Sequence, residues 1–204
     1  MLLILIVGVG VTAVVMSNSW WTDTEHTPSP DQVAADGTST FTQAGVDYLN
    51  AAGVVIIKVR PDSLGALELG LDIDGSRNVE GLTPLELRLL GNGGVLNIDL
   101  VDSFTVTTSG GDISRVEMRY AGNGNYRDLS RVIAGISGTV GWSVEDVAQM
   151  EDELTAARRE STGDSYSAQI QSRDKSGMQV SAIVEVNVAT SSTSLMFVAQ
   201  PLES

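Results

Sequence analysis

The chain reads as an α+β fold: an antiparallel β-sheet packed by two or three helices and preceded by an N-terminal transmembrane or signal helix. Three observations predict it. Apolar and polar residues alternate with the period of a half-buried strand through "VLNIDLV" and "SRVEMRY". A helix is marked at both ends between Ser143 and Gly163. Residues 1–22 carry no charged side chain, and the first charge is Asp23.

The opening "LLILIVGVGVTAVVM" invites two readings. Gly8, Gly10 and Ala13 have the spacing of a dinucleotide-binding turn. Such a turn must be followed by a helix and then a second parallel strand ending in an acid roughly 20 residues on. Asp31 stands at that distance but follows Pro28, Ser29 and Pro30, which do not end a buried strand. About 20 apolar residues cross roughly 30 Å of hydrocarbon, and small residues are common in such helices. Trp20 and Trp21 then fall at the head-group boundary, where amphipathic rings settle. Ser17 and Ser19 could serve a signal peptidase, but no Lys or Arg precedes Lys58 to form a basic leader. A leader encoded upstream of Met1 would supply one. A retained single-pass anchor is favoured over a cleaved signal, with secretion as the alternative and the acidic bulk extracytoplasmic in both.

Residues 22–40 are rich in Pro, Ser and Thr, carry Asp23, Glu25, Asp31 and Asp36 without a base, and read as an acidic tether. Residues 1–21 are then the anchor or signal segment, and 41–204 the extracytoplasmic α+β domain. Within it "AGVDYLNAAG" is a short helix stopped by Gly53, and "VVIIKV" a buried strand ended by Pro61. The alternation in "ALELGLDID" suggests a strand. In "TPLELRLLG" a capped start competes with the alternation of Leu85, Leu87 and Leu89, and strand or short turn is preferred. Leu96, Ile98 and Leu100 share one strand face; "FTVTT" and "SRVEMRY" continue the meander around "SGGD", with Val116, Met118 and Tyr120 inward. "YRDLSRVIAGI" is a helix. Ser143 caps the next, with Glu145 and Asp146 in its first turn, an apolar stripe of Val147, Met150, Leu154 and Ala157, and Arg158 and Arg159 at its end. "SYSAQIQS", "MQVSAIVEVNV" and "SLMFVAQ" form three antiparallel strands.

Composition excludes several functions. A net charge of -14 opposes nucleic-acid binding, which requires clustered cations. With no cysteine there are no disulfides, thiolate metal sites or thiol nucleophiles. The single histidine, His26, lies in the tether, away from any rigid nucleophile. Ser172 and Lys175 match S-x-x-K, but Lys175 also begins "KSG"; penicillin-binding enzymes keep these elements apart, so a turn is the better reading.

"DIDGSRNVE" is the candidate metal loop, with Asp72, Asp74 and Glu80 as calcium ligands. Placing Gly75 sixth in a calcium loop sets Asp72 third and Asp74 fifth. The first position becomes Gly70, the twelfth Gly81, and Glu80 falls one early, so an Asp-Gly turn competes. The acids of "EDVAQMEDEL" project along one solvated helix face rather than across a cleft. "GNGG" and "AGNGNY" lack the lysine of a phosphate loop.

These features point to a non-enzymatic accessory or interaction domain of the cell envelope, held at the membrane through residues 1–21. Its expected partner is a protein or cell-wall component, with no cofactor and no nucleic acid. A small-molecule or lipid carrier, and then a hydrolase using carboxylates alone, are the alternatives.

Overall fold

The computed structural model describes residues 27–60, 62–122, 126–171 and 177–202. Helix α1 (Gln43–Ala52) is capped by the Thr42 hydroxyl, which accepts from the Gly45 N–H, and stopped by Gly53 at φ 71°. It feeds β1 (Val54–Lys58). A 3₁₀ turn (Ala66–Leu69) precedes the long strands β2 (Gly75–Gly91) and β3 (Gly94–Ser109), then β4 (Asp112–Tyr120). Helices α2 (Tyr126–Val140) and α3 (Val144–Glu160) lead to β5 (Ser165–Gln171), β6 (Met178–Asn187) and β7 (Ser192–Pro201).

The strands form one seven-stranded sheet in the order β1-β2-β3-β4-β7-β6-β5. The antiparallel sheet expected from the sequence is corrected here, because the sheet is mixed: β1 runs parallel to β2, with Val55 beside Leu87 and Ile57 beside Leu89. A parallel neighbour requires a crossover, and residues 59–74 with the 3₁₀ turn provide it. The strand expected in "ALELGLDID" is this connection. Ala66, Leu69 and Leu71 are buried, at a spacing that suits a helical turn followed by a bend at Gly70, φ 75°. The expected leading helix, residues 1–21, lies outside the described residues. Among the described residues no helix is long and apolar enough to cross a membrane.

Directly paired residues share a sheet face. One row across the sheet is Val79, Phe104, Met118, Phe197, Ala182 and Ile170, all buried. Phe41, just before α1, meets Phe104 edge-on with ring centroids 6.2 Å apart. The adjoining row on the opposite face is Glu80, Ser103, Arg119, Met196, Ile183 and Gln169.

Leu100 departs from the expected face. It is 51% exposed at φ 58°, while Val101 is buried. Register shifts between Glu80 and Leu87 and between Val101 and Ser103 insert extra residues, so inward positions skip from Ile98 to Val101 to Phe104. These bulges also bend the β2–β3 hairpin back on itself. Straight, the 16 residues of β3 would span about 50 Å. Gly177, which precedes β6, lies at the opposite end of the sheet from the hairpin tip, beside the start of β4. Yet a Cβ on Gly177 would lie 2.8 Å from the backbone nitrogen of Asn92 at that tip. The distal hairpin and β1 therefore fold over the inner face, and Leu85, Leu87, Leu89, Leu96 and Ile98 join one core with the phenylalanines.

Residues 28–40, tether by composition, are tied to this body. The Ser39 N–H donates to the Ile56 carbonyl and the Ser39 hydroxyl accepts from the Ile56 N–H, both at 2.9 Å, so Ser39 covers the edge of β1. Thr38, Ser39 and Thr40 are buried.

Candidate functional site

Where the folded-back hairpin meets the main sheet, strand ends from five parts of the chain surround an open-mouthed cavity of about 300 Å³. Val59, Leu64, Ile113, Pro201 and Leu202 supply apolar walls; Lys58, Arg60, Ser63, Asn92, Asp112 and Gly177 supply the rest. Val59 lines it because β1 continues past its last sheet residue, the Val59 N–H donating to Leu90 at 2.9 Å. Arg60 and Ser63 form a turn in which the Arg60 N–H donates to the Ser63 hydroxyl at 3.2 Å and the Ser63 N–H to the Arg60 carbonyl at 3.0 Å.

The cations at the mouth are already paired. Lys58 Nζ donates to the Asp36 carboxylate and to the Asp36 carbonyl, each at 2.7 Å. Burial pushes the Asp36 carboxyl up, but the Lys58 ammonium and the Thr38 N–H outweigh it and hold the group below its ordinary value. Arg60 Nε stands 3.1 Å from Asp62 Oδ1, out of line for a hydrogen bond, and remains a buried donor without a hydrogen-bond partner.

The calcium candidates are not brought together. Asp74 Oδ1 accepts from the Gly110 N–H at 2.8 Å, and the Asp72 carbonyl accepts from the Thr108 hydroxyl at 2.8 Å. With the Gly111 N–H donating to Ile73 at 2.9 Å, this loop is a brace on the β3–β4 turn. Glu80 lies further along β2 in a separate polar dent with Asn78, Asp102, Ser103 and Arg119. Among the described residues no group of three or more ligating side chains could hold a metal ion. Trp20, Trp21, His26, Ser172 and Lys175 lie outside the described residues.

The α3 acids act locally. Asp146 accepts from the Ser143 N–H at 2.8 Å while Ser143 caps Asp146 at 3.1 Å, and Glu153 accepts from Gln149 at 2.9 Å. The Tyr126 hydroxyl is buried without a well-aligned partner. Burial, with the charge of Glu151 adding to it, pushes that phenol up to about 12, so it stays neutral near pH 7.

The mouth escaped the sequence reading because its residues are scattered between Lys58 and Leu202 with no shared motif. The one local signal was weak: Lys58 and Lys175 are the only lysines in the chain. No protein-family model matches the chain, and neither a curated protein nor a solved structure matches it.

Proposed function

We propose that this chain is a membrane-anchored, extracytoplasmic accessory domain of the cell envelope, non-enzymatic, that meets a protein partner through the outer face of its sheet. The observation that carries the reading is the composition of that face. At its centre Met196 and Ile183, both half-buried, pair across neighbouring strands β7 and β6. Around them stand Arg119 and Gln169, their register neighbours, and on the same face Glu117 and Gln171, two residues further along β4 and β5. An apolar centre inside a polar rim is the anatomy of a protein recognition surface. The uncharged residues 1–22 and the paired tryptophans support the anchor.

The test uses the full chain in the cells that make it, with a photo-crosslinking amino acid at Met196 or, as a control, at Leu82, which is 86% exposed on β2, three strands away from β7 in the sheet. The expected result is one discrete protein adduct in the membrane fraction from position 196 and none from position 82. Equal labelling from both positions, or turnover of glycan, ester or phosphate substrates by the purified chain, overturns the reading.

A carrier role draws on a different observation, the cavity at the mouth. The interior itself is filled, with Phe41, Phe104 and Phe197 each at most 1% exposed. Any cargo would therefore be held at the rim and not engulfed.

A further inference from the structure

We propose that the outer edge of β5 takes up an extended segment of a partner protein as an eighth strand, and that this segment is basic on the side it turns toward α3. The sheet ends at two edges, and the one at β1 and β2 is protected. Ser39 covers β1, and residues 75–80 of β2, beyond the reach of β1, carry Arg77 and Glu80 and end in a register shift. β5 has none of these devices. Its seven residues, Ser165–Gln171, contain no charge and no proline, and they pair with β6 from Asn187 to Ser181 without a shift. Among the described residues the Ser161 hydroxyl, donating to the Ser165 carbonyl at 3.2 Å, makes the one hydrogen bond to this strand's backbone from outside β6. A row of backbone donors and acceptors between Tyr166 and Gln171 is therefore open to a further strand.

The edge opens beneath a helix. α3 packs over β5, and between them lies a cleft of about 220 Å³ with Asp146, Gln149 and Glu153 on its helix side and residues 169–171 on its strand side. No residue of β6 lines it, so it faces the free edge. Asp146, Gln149, Glu153 and Glu160 share one flank of α3 by helical period, and among the described residues no lysine or arginine lines the cleft. A strand added to β5 carries every second side chain beneath that flank. The carboxylates select its chemistry: apolar side chains would strip water from Asp146 and Glu153 without offering a cation, and acidic ones would repel them. Lysines at alternate positions stand about 7 Å apart and reach both groups, which lie about 10 Å apart along the helix. A second copy is opposed by the same charges, since pairing β5 with itself sets this acidic flank against its twin on a chain of net charge -14. The edge is distinct from the outer sheet face, and its occupant does not depend on that face having a partner.

The test is amide-resolved NMR of the full chain in nanodiscs of uncharged phosphatidylcholine, titrated with the blocked peptide acetyl-Thr-Lys-Thr-Lys-Thr-Lys-Thr-amide and with its counterpart carrying Glu in place of Lys. The amide signals of residues 166–171 report on the edge, and those of residues 75–80 on β2 serve as the remote control. The Lys peptide is expected to shift 166–171 saturably, at least about tenfold more tightly than the Glu peptide, with 75–80 unmoved. N-methylation at the lysines or at the threonines keeps the charge and removes one row of backbone donors. A strand offers one row to its neighbour, so one of the two forms is expected to lose affinity at least about tenfold. Glu153→Lys, at an exposed position, is expected to weaken the Lys peptide at least about fivefold and to tighten the Glu peptide. Without peptide, the 166–171 signals are expected not to move with chain concentration. Unmoved 166–171 signals, a Glu peptide that binds as tightly, full binding by both N-methylated forms, or undiminished binding by the Glu153 variant overturns the proposal. Movement with chain concentration alone overturns it too, by marking a second copy as the occupant.

Discussion

Gly45 shows how one missing methyl group fixes the path of a whole segment. It sits in the first turn of α1, and a Cβ there would overlap the hydroxyl and carbonyl of Thr40. Helix propensity alone favours alanine by about 1 kcal/mol. Forcing backbone apart in a packed site costs about 1–3 kcal/mol, so the clash prevails. Gly45→Ala is therefore expected to lower the thermal midpoint, by a few degrees, and to raise hydrogen exchange at Ser39, which the Thr40 segment holds against β1. Asp36 gives a second prediction, in pH. Its folded pKa is depressed below 3.8, so the Lys58 pair contributes fully above that value and is lost as pH falls through the folded pKa. Denaturant melts of Asp36→Asn and the parent chain should differ by about 1 kcal/mol at pH 7 and converge as the pH falls below the folded pKa. A constant difference at every pH would show that the carboxylate charge is not what matters.

At the scale of elements, the bulges in the β2–β3 hairpin do more than interrupt alternation. Leu100 is held at φ 58°, a left-handed conformation that costs a non-glycine residue about 1–2 kcal/mol. Its side chain is half exposed, on a shallow groove with Tyr120, Val132 and Ile136. Leu100→Gly should leave stability unchanged or raised, because relief of strain offsets the lost contact. Leu100→Val, branched at Cβ, should lower it by about 1 kcal/mol. Equal effects of the two substitutions in equilibrium unfolding would argue against strain at this bulge. Other elements are locally determined. Helix α3 was legible at its start because Ser143 and Asp146 satisfy each other's backbone N–H groups whatever the rest of the chain does. The "ALELGLDID" segment was not, since leucines spaced for a strand also suit a 3₁₀ turn and an extended bend.

Across the whole molecule, closure depends on the contact between Asn92 and Gly177. Gly177 has φ 74°, where only glycine is free of strain, and it abuts backbone of the opposing hairpin. Gly177→Ala should destabilise the fold by about 2 kcal/mol and loosen the mouth, seen as faster hydrogen exchange at the β2–β3 tip than at β4 or β7. Uniform acceleration would place the defect elsewhere.

The sequence by itself determined the strands β3, β4, β6 and β7, the helices, and the inward positions Val116 and Met118. Period, caps and glycine stops act within a few residues and need no partner. The mixed sheet, the fold-back at the bulges, the docking of residues 38–40 on β1 and the mouth around Arg60 were decided by tertiary structure alone. Each joins residues far apart in the chain, and no local preference specifies which strand lies beside β1, where a bulge bends a hairpin, or which strand ends meet around a cavity.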